Sequence, residues 1–197
     1  MVRGVFMTYK KKICLEKSMI TSTSNQQMKN LMLLMKKAKA RNEQELFVVE
    51  GRKMFQEVPK EWLKQVYVSE SFFAENDKML AGYTYEIVSD YVFKAVSDTQ
   101  TPQGILCLVR KPQYRLEELL KGADTHLLIL DSIQDPGNLG TMLRTGEGAG
   151  ISGVVMNHTT VDLFNPKTIR STMGSIYRMP FFVTRDLAET ICELKNA

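Results

Sequence analysis

The sequence predicts an α/β protein built from two parts. Strand and helix patterns alternate through both halves of the 197-residue chain. The segment Arg110–Gln113 contains a proline and interrupts this alternation. After it, an apolar run over residues 127–130 leads through a glycine-containing turn into an amphipathic helix. These observations predict a small N-terminal α/β domain, followed by a domain with a parallel sheet.

The first half contains short, apolar, β-rich runs separated by helical patterns. Ser24 is placed to cap a helix that runs to about Arg41. Methionine and leucine repeat at helical spacing in this segment and predict core packing, at Met28, Leu31, Met32 and Met35. Strands are expected at 46–49, 65–69, 84–88 and 104–109, and helices near 51–57, 70–80 and 89–95.

The second half repeats the alternation of strands and helices at more regular intervals. Strands are expected at 126–131, 153–157 and 180–184, and helices at 138–149, 165–172 and 186–195. Asn165 followed by Pro166 is a favourable start for the second of these helices. Three strands make a small parallel sheet, so we expect apolar surface to remain on strand 180–184 and on the last helix, at Leu187, Ile191 and Leu194.

The stretch from Leu130 to Arg144 carries the clearest chemical signal. Asn138 is expected to be the N-cap of the helix that follows the turn. Gly137, Gly140 and Arg144 are spaced to share one helix face, where two missing side chains beside a guanidinium leave room for a polynucleotide backbone. A strand, a glycine-containing turn and a helix with a solvated arginine are also common in α/β proteins, so both interpretations stay open.

Composition places limits on the class of protein. An apolar content of 44% is ordinary for a globular chain, and no apolar run is long enough to span a bilayer. The three cysteines, Cys14, Cys107 and Cys192, are far apart and follow no zinc-binding pattern. Reduced thiols in a cytoplasmic protein, with neither a metal site nor a membrane anchor, are therefore expected.

The positive charge is concentrated at the start of the chain. Residues 1–18 contain five basic residues and one acid, which equals the net charge of +4 of the whole chain. We interpret these residues as a basic leader, either disordered or added by an upstream start codon chosen in error, with Met19 as the alternative start. The rest of the chain is neutral overall, so only the distribution of its charges is informative.

The part of the chain after residue 18, which is neutral overall, contains one cluster of cations. Five basic residues occur before the next acid, Glu43, at Lys29, Lys36, Lys37, Lys39 and Arg41. A solvated helix face explains such a run, and a surface that contacts RNA phosphates explains it equally well. The sequence leaves these two alternatives open.

Several motifs resemble those of one enzyme family. Residues 130–144, with Asn138 and Arg144, resemble the first signature of the SpoU, or TrmH-like, RNA ribose 2′-O-methyltransferases of the SPOUT superfamily. A second segment is similar to the N-P-K-x-x-R-x-S-x-G signature of that family, at Asn165, Pro166, Lys167, Arg170, Ser171, Met173, Gly174 and Pro180. Further matches resemble the family's substrate-binding domain, at Ser24-Asn25, Arg41, Phe47–Gly51 and Thr101–Ile105. A generic nucleotide-binding protein does not account for this combination.

The resemblance implies a domain plan and an activity. It implies an RNA-binding domain at 19–110, a linker with a short helix at 111–125, and a methyltransferase domain at 126–197. The activity would be S-adenosylmethionine-dependent 2′-O-methylation of structured RNA, ribosomal or transfer, by a homodimer. The family's later G-N-E-G and S-L-N segments, which build the knot that holds the cofactor, do not occur in this sequence. We therefore expect an incomplete α/β knot domain, and an inactive RNA-binding remnant is the alternative.

The resemblance also implies roles for individual residues. Arg144 would act in catalysis, and Asn138 would orient it or cap its helix. Because arginine keeps its proton, gripping a phosphate and stabilising a developing alkoxide suit Arg144 better than acting as a base. Further RNA contacts are expected around these two residues and in the basic run, at Gly137, Gly140, Lys167, Arg170, Ser171, Lys29, Lys36, Lys37, Lys39 and Arg41.

Overall fold

A computed structural model describes residues 19–120 and 124–196 of the protein. The basic leader expected at 1–18 lies outside the described residues. The first half contains helices α1 (Gln26–Lys36), α2 (Ala38–Gln44), α3 (Arg52–Glu57), α4 (Glu70–Asn76) and α5 (Asp90–Val96), and strands β1 (Leu46–Glu50), β2 (Leu63–Ser69), β3 (Tyr85–Val88) and β4 (Ile105–Arg110). The second half contains strands β5 (Leu127–Leu130), β6 (Gly153–Asn157) and β7 (Phe181–Thr184), and helices α6 (Pro136–Gly148), α7 (Pro166–Thr172) and α8 (Leu187–Asn196).

The α/β fold predicted from the alternation is confirmed, and the strands form two separate sheets. The first sheet has the order β1-β4-β2-β3, in which β4 is antiparallel to both of its neighbours and β2 is parallel to β3. The second sheet has the order β5-β6-β7 and is entirely parallel. Short 3-10 turns at Asp77–Leu80 and Leu116–Leu120 lie between the regular elements.

The first predicted helix is in fact two helices, which corrects its expected bounds. Asn25, not Ser24, is the N-cap, since its side chain accepts from the Gln27 N–H. The helix stops at Lys37, whose backbone is extended, and α2 begins immediately after it. Arg41 explains the break, because its guanidinium donates to the carbonyls of Leu34 and Met35 in the last turn of α1. Those carbonyls thus have a side-chain partner instead of a continuing helix.

The first sheet separates the apolar core into two parts, one on each of its faces, because alternate residues of each strand face opposite sides. One face of the sheet packs under α1 and α5, through residues such as Val48 and Leu106. The other face packs against the second half of the chain, through residues such as Phe47 and Ile105. The Phe47 ring lies 4.9 Å from that of Phe164, so the two halves share one apolar core. Helix α1 therefore lies on the side of the first sheet that faces away from the second half.

The end of the chain is only partly covered by other elements. Val183 of β7 is exposed, and the stripe Leu187, Ile191 and Leu194 on α8 is half-buried. The side chain of Thr190 is the buried one in α8, and its hydroxyl donates to Thr184 and Asp186. Among residues 19–120 and 124–196, none of the helices is both long and apolar enough to cross a bilayer.

Candidate active site and RNA-binding surface

The turn before α6 is capped by an acid. The Asp135 Oδ1 accepts from the Asn138 N–H at 2.8 Å, and Pro136 occupies the first helical position. The expectation that Asn138 is the N-cap is therefore wrong, because Pro136 lacks an N–H and starts the helix two residues earlier. The Asn138 side chain is exposed and forms no hydrogen bond with the described residues. Its amide is thus available to a ligand.

Gly137 and Gly140 of α6 do not leave open space for RNA, which corrects the second expectation for this segment. Gly140 is buried, and a Cβ there would lie 2.7 Å from the carbonyl oxygen of Thr168 and closer still to Ser171. A Cβ at Gly137 would lie 2.9 Å from Asp135 Oδ1. Gly140 thus allows α6 and α7 to pack closely together, and Gly137 allows the capping carboxylate to approach the helix.

Arg144 is the free cation of this helix pair. It lies one turn after Gly140, and its side chain is exposed. Within the described parts of the chain, its guanidinium has neither a hydrogen bond nor an ion pair. Its charge is therefore presented to solvent beside the contact between α6 and α7.

Helix α7 contributes further polar groups next to α6. Asn165 caps it by accepting from the Lys167 N–H, with Pro166 in the first helical position, as predicted. The Lys167 Nζ lies 3.9 Å from Asp135, and the Ser171 hydroxyl donates to the Lys167 carbonyl. Arg170 pairs with Asp98 of the first half at 2.7 Å. Lys167 is exposed, whereas the charge of Arg170 is paired with that of Asp98.

Arg41 is not an RNA contact, and this expectation is corrected. The residue is only 3% exposed, and its guanidinium donates to Asp162 at 2.5 Å as well as to backbone carbonyls. An arginine that is buried, paired with a carboxylate and hydrogen-bonded to two carbonyls is not available to a phosphate. Arg41 instead connects α1 and α2 to the second half. The sequence shows only the charge and does not reveal that an acid 121 residues later neutralises it.

The remaining cations of the basic run are exposed. Lys29, Lys36 and Lys37 have no side-chain partner among the described residues, while Lys39 lies 3.7 Å from Glu43. They belong to the α1–α2 layer, and α1 lies across the first sheet from the second half. A short RNA segment held at Arg144 is therefore expected not to contact Lys29 as well. The four exposed lysines remain candidates for binding a more distant part of a large RNA.

Sequence reasoning missed a polar cluster at the carboxyl edge of the second sheet. Asn157, at the end of β6, donates to Asp131 and accepts from the Ser132 N–H. The Ser132 hydroxyl contacts Thr159, and its backbone has a φ of 53°. Ligands of open α/β sheets bind beyond this edge. The polar residues that directly follow two apolar strands were the signal for this cluster.

A second missed feature joins the two halves behind α6. Arg178 donates to Glu57 at 2.7 Å and also to Glu147 of α6. The hydrogen bond from Arg178 lowers the pKa of Glu147, and the same contacts raise the pKa of Arg178. Since both carboxylates hold this guanidinium, Arg178 has a structural role and leaves Arg144 as the free arginine of the region.

An open cleft of about 820 Å³ lies between the two halves. Its walls include Lys111, Tyr114, His158, Phe164 and Phe181. The Lys111 ammonium lies 4.6 Å from the centre of the Phe164 ring and donates to Asn42, and burial lowers its pKa. The cleft is wide and solvent-accessible, so it does not enclose a ligand as cofactor pockets normally do.

Comparison with known proteins agrees with this geometry. Residues 125–197 match the SpoU rRNA Methylase family, and residues 25–107 match the MRM3-like substrate binding domain. The chain is 36% identical over 178 residues to the 23S rRNA (guanosine(2553)-2′-O)-methyltransferase RlmP of Bacillus subtilis, which covers 89% of this chain and 68% of that protein. It is 33% identical over 177 residues to the human mitochondrial rRNA methyltransferase 3, covering 79% of this chain and 39% of that protein.

Solved structures show the same fold. An AdoMet-bound rRNA methyltransferase from Sinorhizobium meliloti superposes with a TM-score of 0.76 at 25% identity, over 91% of this chain and 68% of that one. A second structure, described as an RNA 2′-O ribose methyltransferase, superposes with a TM-score of 0.73 at 29% identity, over 90% of this chain and 69% of that one. The matches run through both halves, so this chain belongs to the SpoU family of RNA methyltransferases.

Proposed function

We propose that this protein acts in S-adenosylmethionine-dependent 2′-O-methylation of a ribose in ribosomal RNA. The observation that carries the proposal is the exposed guanidinium of Arg144 next to the α6–α7 contact, which has no partner among residues 19–120 and 124–196. The family match supports the reaction class, and the names of the relatives support ribosomal RNA as the substrate class. Transfer RNA, which the sequence left open, stays the alternative substrate class.

Arg144 can contribute to this reaction without transferring a proton. A ribose 2′-hydroxyl is a weak nucleophile, so it must be oriented and its developing negative charge must be stabilised. A free guanidinium can hold the adjacent phosphate and place positive charge near the 2′-oxygen. Asn138 is exposed in the first turn of α6, and its side-chain amide, which has no partner among the described residues, can contact the RNA backbone.

The methyl group would come from S-adenosylmethionine, the ligand of the Sinorhizobium meliloti structure. The cleft that the described residues form between the two halves is too open to enclose this cofactor. The cleft between the halves is open, and the polar atoms of Asp131, Ser132 and Asn157 at the carboxyl edge are satisfied by one another. No catalytic step of the cofactor is therefore assigned to these residues.

The proposal predicts a specific loss of modification in cells. Deleting the gene should remove one 2′-O-methylated nucleotide from ribosomal RNA, and the missing site can be mapped by mass spectrometry of nuclease digests. Restoring the gene should restore the methyl group. A ribosomal RNA with an unchanged set of ribose methyl groups after deletion would contradict the proposal. In that case, RNA binding without catalysis, the alternative, would be the better description.

The openness of the cleft leads to an expected result for the isolated chain. Calorimetric titration of the 197-residue protein with S-adenosylmethionine should show no saturable binding tighter than about 100 µM, which corresponds to about 5.5 kcal/mol. The physical reason is that the described residues leave a bound cofactor exposed to water. Tighter, saturable binding would show that the chain does contain a complete cofactor site.

The lysines of α1 provide a separate test of RNA binding. Changing Lys36 and Lys37 together to alanine should lower the slope of log affinity against log salt concentration by about 1.4, since each contact with single-stranded RNA contributes about 0.7. Filter binding to ribosomal RNA at several salt concentrations measures this slope. An unchanged slope would assign both lysines to a solvated surface. The change should leave the melting temperature unaltered, because both side chains are exposed.

We further propose a cytoplasmic homodimer. The dimer follows from the family resemblance, and light scattering of the purified protein would test it. Cys107 and Cys192 are free thiols in the structure, which suits a reducing compartment such as the cytoplasm. Fractionation of cells that express a tagged chain would test the location.

A further inference from the structure

A continuous series of contacts connects the Arg144 helix to a loop of the first half. Gly140 of α6 packs on Ser171, and the neighbouring Arg170 pairs with Asp98 at 2.7 Å. The loop that carries Asp98 is anchored on each side, because Ser97 and Thr99 both donate to the Glu50 Oε1, at 2.7 and 2.5 Å. Arg52 follows Glu50 by two residues and Gln103 lies later in the same loop as Thr99, and the Arg52 N–H donates to the Gln103 Oε1. We refer to Arg170, Asp98, Gln103 and Arg52 as the junction strip.

The side-chain amide of Gln103 is held through its oxygen. Its Oε1 accepts from the Arg52 N–H at 2.9 Å. Gly51, which has a φ of 107°, allows this approach, because a Cβ there would lie 3.1 Å from the same oxygen. The side chain is exposed, and its Nε2 has no acceptor among residues 19–120 and 124–196. The arrangement therefore presents two fixed N–H donors to solvent.

Arg52 adds a positioned cation beside these donors. Its side chain is exposed, and its guanidinium carbon lies 5.1 Å from the centre of the buried Phe72 ring. It has no carboxylate partner in the described part of the chain. Of the acids on the neighbouring segments, Asp98 pairs with Arg170 and the Glu50 Oε1 accepts from two hydroxyls, while the buried Glu50 Oε2 has no hydrogen-bond partner among the described residues. An aromatic contact thus orients this charge while leaving it free for an external anion.

We infer that the junction strip binds the RNA nucleotides flanking the methylated ribose. Arg52 contacts a phosphate, and the Gln103 amide donates to an acceptor atom of the adjacent nucleotide. The strip adjoins the helix pair that presents Arg144, whereas α1 with its lysines lies across the first sheet. An RNA strand that leaves Arg144 can follow the strip without crossing the sheet. This inference rests on the proposed function, and it adds Arg52 and Gln103 as specificity-determining residues.

A matched pair of cation variants tests the role of Arg52. The comparison is Arg52→Ala against Lys60→Ala, because Lys60 also lies over an aromatic ring, Tyr83 at 5.5 Å. Lys60 precedes β2, at the opposite end of the first sheet from Arg52. The full 197-residue chain is titrated with 23S rRNA transcribed in vitro. Arg52→Ala should lower the salt slope by about 0.7, while Lys60→Ala should leave it unchanged.

A matched pair of glutamine variants tests the role of Gln103. Gln103→Glu keeps the oxygen that accepts from Arg52 but removes both donors, whereas Gln56→Glu adds the same charge on an exposed position of α3. Gln103→Glu should weaken binding at least about tenfold, because a donor is replaced by a charged acceptor facing RNA. Gln56→Glu should change affinity by less than about twofold. Equal melting temperatures of the two variants exclude unfolding as the cause.

The outcomes separate this inference from the proposed function. Wild-type chain that binds 23S rRNA, with Arg52→Ala and Gln103→Glu indistinguishable from their controls, overturns the junction strip alone. Wild-type chain that binds 23S rRNA no better than an unrelated RNA of equal length overturns the proposed substrate class and the strip with it. A salt slope lowered by Arg52→Ala, together with a selective effect of Gln103→Glu, supports both.

Discussion

Arg144→Ala, introduced into the complete gene, should abolish ribose methylation while leaving the fold intact. The side chain is exposed and forms neither a hydrogen bond nor an ion pair with the described residues, so its removal should change the free energy of unfolding by less than about 0.5 kcal/mol. Methyl transfer should fall at least tenfold, because the lost contact is one that we place in the transition state. A complementation assay in the deletion strain, with ribose methylation read by mass spectrometry, measures the effect in cells.

The control for this prediction is a second exposed arginine. Arg115 lies in the segment between the two sheets, and its guanidinium has no described partner. Arg115→Ala removes the same charge and should leave methylation unchanged. Activity of Arg144→Ala within about threefold of the wild type would show that Arg144 does not take part in the reaction. Thermal melting of both variants confirms that the comparison is between folded proteins.

Gly140→Ala should strongly destabilise the second half, even though alanine favours helices. The added Cβ would overlap the Thr168 carbonyl and the Ser171 side chain, so α6 and α7 would have to separate. Overpacking of this kind costs about 1–3 kcal/mol, which exceeds the gain of up to about 1 kcal/mol from replacing a helical glycine. Because Arg144 and Lys167 are placed by this contact, RNA binding should weaken as well.

Gly148 on the same helix is the matched control. A Cβ at Gly148 would meet nothing within 4 Å, so Gly148→Ala should be neutral or stabilising by up to about 1 kcal/mol. Urea unfolding of both variants compares the two free energies directly. Opposite signs at the two glycines are the expected result. Equal stability of Gly140→Ala and the wild type would mean that the helices can move apart without penalty.

The local pattern of the sequence determined the elements and their order. The alternation of strands and helices predicted the α/β class. Residues on one face recur every two positions in a strand and every 3.6 positions in a helix, so the order of apolar residues shows both patterns directly. Asn165 and Pro166 gave the start of α7 for the same reason, since capping involves only near neighbours. The motifs of the second half identified the family and singled out Arg144. These features depend on residues that are close together in sequence.

Only the tertiary structure decided what the long-range partners do. In the sequence, Arg41 has the same charge as its lysine neighbours and nothing sets its role apart. In the structure it is buried and paired with Asp162. Gly140 suggested open space, but Ser171 of another helix fills it. The junction strip combines residues from three separate segments, and no local pattern brings them together. Burial and charge pairing depend on contacts between residues that are distant in sequence, so they are visible only in the folded structure.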